Sequence, residues 1–576
     1  MAADLARTKA RHGTWGGERL ALAALMCFGV TLFGVPLWLL FAQGVGGTGT
    51  PSFTPFAEAL ESRAVRRALI NSLDSASISA LIALVLGVAL ALALALTDVR
   101  GKRILVFLIL LPMMIPPHVT AIAWTQTFGP SSPVLGLLGL APAPGTPNPL
   151  YSRGGVIALL ALQHTPLAFL LTLTAIRALP REMIDAARVS GAGPVRTLLR
   201  VILPLLAPAL IAAGALLFVA ALGNFGIPAL LGIPGRYTTL PVLIWQRLSS
   251  FGPGMLPALA VLSTLMAMVA LAAVFLQMAL SRWAAVRLIG IPQPPLAFAL
   301  GRARPFAEAG LVCLITGTLA LPLLALIGTS LVPVFGVKLS LATVTLENYR
   351  EILARQSVTG RAFFNSTLAA GLAGVTLAAI AVLVGYFASR RATVARRLSS
   401  GFATLAELTY ALPGIVISIA FILTFLRPLP LIGVSLYNTL SLIILAYFAA
   451  FAAIALKPVL AAFQQLDPAL DEAARIAGAG FWRRLHRIFL PLMAPAAVSG
   501  AILVFLTAYN EITVSALLWS TGNETIGSTI FNYENGGNTT LAAAMSTVTV
   551  AVTAALMIGL DRLGRRLPPG VIPWRL

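Results

Sequence analysis

Residues 472–496 read EAARIAGAGFWRRLHRIFLPLMAPA, and residues 185–209 read DAARVSGAGPVRTLLRVILPLLAPA. Fifteen of the 25 positions are identical, at an offset of 287 in a chain of 576 residues. Each copy is the most charged stretch of its half in an otherwise oily chain. A polar element kept twice in such a setting points to a surface for a soluble partner. Each copy reads as helix, glycine turn, helix. Pro468 after Asp467 suits a first helical turn with an Asp cap, and Pro180 opens the other copy. The first helix carries Glu472-Ala473-Ala474-Arg475, or Asp185-Ala186-Ala187-Arg188. Gly478 and Gly480, or Gly191 and Gly193, permit the left-handed angles that end a helix. A second helix bearing Arg483, Arg484 and Arg487, or Arg196 and Arg200, then enters an apolar run at Leu490-Pro491 or Leu203-Pro204.

The repeat extends along the chain. Cys27 and Pro36 match Cys313 and Pro322; Arg67, Asn71 and Ser72 match Arg361, Asn365 and Ser366; Leu111-Pro112 is paired with Leu412-Pro413; Asn224 matches Asn510. The drifting offset marks loop insertions in a duplicated and fused chain rather than a short-period solenoid. Hydrophobic residues are 58% and charged residues 10%, against about 25% charged in soluble proteins, and the mean hydropathy is +0.92. Windows of about 20 apolar residues suffice to cross a bilayer. They fall near 20–42, 75–97, 104–127, 155–176, 203–222, 255–280, 309–332, 367–387, 403–425, 436–456, 489–509 and 541–560. The expected fold is therefore an all-α polytopic membrane protein of about twelve spans in two homologous six-helix halves. Residues 1–280 form the first half with the docking loop 177–204. A linker follows at 281–308, and 309–576 form the second half with the docking loop 457–491.

Charge sets the expected orientation. All 40 Lys and Arg lie outside these windows, 29 of them on the side shared by the N-terminus and both duplicated loops. The excess of basic residues in cytoplasmic loops places that side, and both termini, in the cytoplasm. This distribution assigns the net charge of +21 to topogenesis and lipid headgroups in the bilayer rather than to nucleic acid. Two cysteines at equivalent places in spans 1 and 7 read as small packing residues, not as a disulfide framework. His12, His118, His164 and His486 show no metal-ligand spacing. His118 and His164 read as partners in helix-to-helix hydrogen bonds. Pro112, Pro116 and Pro117 break the third window and Pro413 the ninth. Asn224, Asn510 and Glu511 follow the spans downstream of the docking loops and are candidate residues of a translocation pathway.

The spacing E-A-A-x-x-x-G, nine residues, then I-x-L-P, met by Glu472, Ala473, Ala474, Gly478, Ile488, Leu490 and Pro491, resembles the signature loop of the membrane subunits of ATP-binding-cassette importers. The first half departs from it with Asp185 and Val201. Thr345-Leu346-Glu347-Asn348-Tyr349 and the Asn365-Ser366 entry also resemble this family. The fused layout and FGIPALLG at 225–232 are similar to the iron(III) permease group, while thiamine, polyamine and phosphonate permeases share much of the pattern. The resemblance implies the type I importer permease fold in a bacterial inner membrane. Asp185, Ala186, Ala187, Arg188, Gly191, Glu472, Ala473, Ala474, Arg475 and Gly478 then dock two copies of a cytoplasmic ATPase. It also implies an extracytoplasmic solute-binding protein and no cofactor on this chain. No G-x-x-x-x-G-K-[ST] phosphate loop occurs, so ATP hydrolysis is expected on the partner. Readings from other classes are a proton- or sodium-coupled carrier, faintly echoed at 97–103, and a membrane sensor or scaffold.

Overall fold

The computed structural model describes residues 17–46, 52–250, 252, 254–283, 298–390, 394–429, 433–564 and 571. Half of the 281–308 linker, residues 284–297 with the Pro-rich 290–295, and the basic residues of 1–16 lie outside the described residues. The chain is helical: α1 (Gly17–Gly44), α2 (Arg63–Leu96), α3 (Lys102–Met114) and α4 (Pro117–Leu137). Then come α5 (Arg153–Arg177), the short α6 (Arg181–Val189), α7 (Pro194–Leu222) and α8 (Met255–Trp283). The second half repeats the order with α9 (Gly301–Ser330), α10 (Ser357–Ala388), α11 (Val394–Tyr410) and α12 (Gly414–Phe425). It ends with α13 (Leu440–Gln464), the short α14 (Ala469–Ile476), α15 (Phe481–Tyr509) and α16 (Thr539–Leu563). Ten of the described helices are long and apolar enough to cross a membrane. The bent pairs α3–α4 and α11–α12 raise the number to twelve if each is one span. All twelve expected windows fall on these helices.

The bends are where the prolines are. α3 and α4 meet at 102° and α11 and α12 at 112°. Pro116 and Pro413 stand as the residues before α4 and α12 with the same dihedrals, φ −55° and ψ 139°. Proline has no N–H to continue the ladder, and it drives the residue before it out of helical angles. This geometry corrects the repeat register: Leu412-Pro413 corresponds to Ile115-Pro116, not to Leu111-Pro112.

Four π-helical turns fall in two matched pairs: Val30–Gly34 with Thr316–Ala320, and Leu198–Ile202 with Leu485–Phe489. Each ends two residues before a proline, namely Pro36, Pro322, Pro204 and Pro491. The proline ring clashes with the carbonyl four residues earlier, and that carbonyl lies inside the π turn every time. The widened turn absorbs the clash without ending the helix.

The described residues form two compact units that draw on both halves. One takes its residues from Met1–Ser52, Gly360–Ile526 and Ala551–Leu576, the other from Phe53–Thr359 and Gly527–Val550. The opening helix of each half therefore belongs with helices of the other half. In the first unit α1 packs on α11, with Phe33 edge-on to Phe402 at 5.3 Å. In the second unit α9 packs on α4, with Gly328 so close to Pro133 that an added Cβ would meet it at 2.8 Å. Many apolar side chains remain exposed along the spans, among them Leu20, Trp38, Leu81 and Val375, as a lipid-facing surface requires. Cys27 and Cys313 are unpaired and exposed on their helices, so the expected packing role does not hold.

The duplicated Asn-Ser pair has one task in both units. Asn71 Nδ2 donates to Thr238 O at 2.9 Å, and Ser72 Oγ accepts from Leu240 N at 2.7 Å. Asn365 Nδ2 donates to Glu524 O at 3.0 Å, and Ser366 Oγ accepts from Ile526 N at 2.9 Å. Each pair satisfies backbone groups of the loop that follows the fifth span, groups that would be costly to leave unpaired at membrane depth.

Candidate docking site

The two duplicated elements fold alike. Asp467 Oδ1 accepts from Ala469 N at 2.9 Å and so satisfies one of the free donors at the start of α14. Both short helices end in the same six-residue turn. Ala192 N donates to Ala187 O and Gly191 N to Arg188 O, each at 3.0 Å. Ala479 N donates to Ala474 O and Gly478 N to Arg475 O, also at 3.0 Å. Gly191 and Gly478 sit at φ +80° and +78°, the left-handed angle this motif demands. The chain then re-enters the membrane through a π turn and the Leu-Pro step.

The outward faces also match. Val189 and Ile476, at equivalent positions, are 90% and 88% exposed. Met183 and Leu470 form a second exposed apolar pair, Val195 and Trp482 a third. Ala186 and Ala473 are exposed, while Ala187 and Ala474 are half-buried. Asp185 is half-buried and Glu472 exposed. Arg188 lies over the Phe298 ring at 5.5 Å, and Arg475 pairs with Asp471 at 2.9 Å. Small residues framed by charges and repeated apolar knobs make a surface that another protein can approach closely.

The supports beneath differ. Ile184 is buried in an apolar cluster with Ile176, Leu179 and Ile202, and Thr197 closes the turn with a bond to Gly193 O at 3.1 Å. The equivalent residues under α14 are Asp471 and Arg484, and Arg484 is 4% exposed. Nothing in the local pattern marks this difference except the charge itself.

The candidate pathway residues have local duties. Asn224 Oδ1 accepts from Ile227 N at 3.1 Å. Asn510 Nδ2 donates to Leu506 O at 3.2 Å. Glu511 accepts from Val514 N at 2.6 Å and Ser515 N at 3.1 Å, which caps a short turn as Asn224 does one position earlier in the other half. Phe225, next to Asn224, joins Trp245 and Phe531 in an aromatic cluster with centroids 5.3–5.7 Å apart. Sequence reading missed that cluster, for which only the aromatic character of Phe225 gave a hint. His164 Nδ1 bonds Leu160 O of its own helix at 2.7 Å, not a neighbouring helix. His118 is fully buried against Gly226, and neither ring nitrogen has a partner among the described residues. Among the described residues no three His, Cys, Asp or Glu side chains are grouped to hold a metal ion.

A duplicated bundle with the same short amphipathic helix after the fourth span of each half is the architecture of a transport permease. The chain belongs to the family of binding-protein-dependent transport system inner membrane components, whose model matches residues 83–286 and 381–573. It is the multi-pass permease of a binding-protein-dependent ABC importer. Members of this family hydrolyse no ATP themselves and carry no cofactor, the ATPase being a separate subunit. Over 536 residues it is 27% identical to the probable ABC transporter permease protein y4fN of Sinorhizobium fredii, covering 90% of this chain and 91% of that one. It is 25% identical to the putative ferric transport system permease protein FbpB 1 of Haemophilus influenzae, covering 71% of this chain and 63% of that one. It is 24% identical to the ferric transport system permease protein FbpB of Actinobacillus pleuropneumoniae, covering 78% and 64%.

Proposed function

We propose that this permease imports ferric iron, and that α6 and α14 each seat one copy of a cytoplasmic ABC ATPase. An extracytoplasmic binding protein delivers the solute. Two ferric permeases among the relatives support the iron reading, as does FGIPALLG at 225–232. The matched exposed knobs and matched glycine turns support the docking reading. Closure of the ATPase dimer moves the short helices, and the π turns and bent pairs above them convert that movement into alternating access. Iron uptake into cells that express the permease with its ATPase and binding protein tests the solute. Radio-iron accumulation that excess thiamine, polyamine or aminoethylphosphonate does not compete supports it; competition by one of these reassigns it.

The orientation has its own test. With Cys27 and Cys313 removed, single cysteines at Ser190 and Ala477 resist impermeant thiol reagents in intact cells and label once the membrane is opened. Labelling of both from outside reverses the orientation.

For the pathway residues Asn224, Asn510 and Glu511, the asymmetry at Phe225 and Glu511 is the lever. A carboxylate at a span end is costly unless it meets water, donors or a cation. Glu511→Gln keeps an acceptor for the capped turn and removes the charge. Uptake of the cation at subsaturating solute falls about threefold to tenfold, on the order of 1 kcal/mol, with assembly unchanged. A wild-type rate assigns Glu511 to the cap alone.

A further inference from the structure

Glu18, at the start of α1, is tied to the second duplicated element across 466 residues of sequence. Its Oε1 accepts from Arg484 Nη2 at 2.7 Å and from the Tyr386 hydroxyl at 3.1 Å. Arg390 grips the same carboxylate with both terminal nitrogens, Nη1 reaching Oε2 at 2.9 Å. Arg484 spans the whole arrangement. It donates to the Tyr386 hydroxyl at 2.8 Å, and to Ala479 O, inside the glycine turn, at 2.9 Å. Its Nε lies 3.0 Å from Asp471 Oδ1, and Asp471 also pairs with Arg475 on the exposed face of α14. Rings close the cluster: Phe481 and Phe489 lie 5.4 and 5.1 Å from Tyr386. All of these residues lie in one compact unit.

We propose that Glu18 is a positioning residue for the second docking helix, locking α14 and its glycine turn to α1 and α10 through Arg484. The inference rests on the docking reading of α14. The bonds of the forked Arg484 guanidinium to Glu18, Tyr386 and Ala479 O are directional, and its approach to Asp471 is an ion contact, so a displacement of α14 and its turn carries Arg484, and with it Glu18 and α1. Under α6 the same places hold Ile184, within an apolar cluster, and Thr197, bonded to Gly193 O. Apolar contact has no preferred direction, so these two places give α6 no charged, directional tie like the one Arg484 makes. The two docking helices are thus coupled to the membrane by different means, one by ionic struts and one by a packed apolar surface. A buried charge network is weak evidence of stability but sets a unique arrangement where one is needed.

The test uses the full permease with its ATPase in lipid nanodiscs. Spin labels are placed one at a time at Ala477→Cys and Ser190→Cys, in a background lacking Cys27 and Cys313. Glu18→Gln, which changes charge but hardly shape, loosens the label at 477 and leaves that at 190 unchanged. In the unlabelled complex, ATP-driven uptake falls about tenfold while the co-purified ATPase is retained. Tyr386→Phe, which keeps every charge, gives the same ordering at smaller amplitude. Equal loosening at both labels, or none at 477 in either variant, overturns the proposal. A wild-type permease that purifies without its ATPase removes the docking reading instead, and the label contrast still decides the strut.

Discussion

Gly478→Val and Gly191→Val each cut ATP-driven uptake by about tenfold or more, while the chain still inserts in the membrane. An L-residue with a left-handed backbone costs about 1–2 kcal/mol, and a β-branched one is a genuine outlier there. Both glycines hold that angle, and a Cβ added at either meets nothing within 4 Å. The penalty is therefore purely conformational, and it is relieved only by moving the turn and the helix before it. The consequence is a ranking that a steric clash does not give. Asn, which tolerates the left-handed region, stays near wild type; Ala is intermediate; Val is worst. The local cost is the same at both positions, because φ and both closing hydrogen bonds are the same. Uptake by reconstituted vesicles, with ATPase co-purification as the assembly control, measures it. Full uptake by both Val variants removes the coupling role from the two turns.

The two glycines were legible because their signal is local: a glycine after a short polar helix has few other uses. The same holds for the bends at Pro116 and Pro413 and for the spans, whose length the bilayer sets. The Leu-Pro steps were visible as repeated letters, but their effect, a π turn one step upstream, follows only from the three-dimensional clash with the carbonyl four residues earlier. The pairing of Leu111-Pro112 with Leu412-Pro413 failed for a related reason. Half one has three prolines near the break, and letters alone do not tell which of them bends the chain. Asn71-Ser72 and Asn365-Ser366 announced a shared task without naming it, since the loops they tie arrive about 160 residues later in sequence. The exchange of opening helices between units and the Glu18–Arg484 contact leave no local trace. Hydropathy identifies a span and not its neighbours, and Glu18 reads as an ordinary acid at the mouth of an apolar run.

Ile476→Asp and Val189→Asp each weaken ATPase docking by about tenfold to a hundredfold, and together they abolish it. Fully burying such a side chain contributes about 1.5–3 kcal/mol relative to leaving it exposed. These two are nearly fully exposed in the permease alone, so the whole contribution is available to a partner. Their surroundings argue against a lipid role. Each stands at the end of a short helix whose other exposed residues, apart from Met183 and Leu470, are charged or small, two residues before the glycine of the turn. Interfaces concentrate their energy in a few such central residues, and Met183 and Leu470 at the other end of each helix serve as the flank. The fully exposed Leu341, in the loop between α9 and α10, separated from both α6 and α14 by three spans when each bent pair is one span, is the control. Leu341→Asp leaves ATPase binding intact, so a general loss of hydrophobicity is separated from loss of the docking knob. Titration of the purified ATPase onto nanodisc-held permease reads the affinities. Unchanged binding in the Ile476→Asp, Val189→Asp double variant moves the docking surface off α6 and α14.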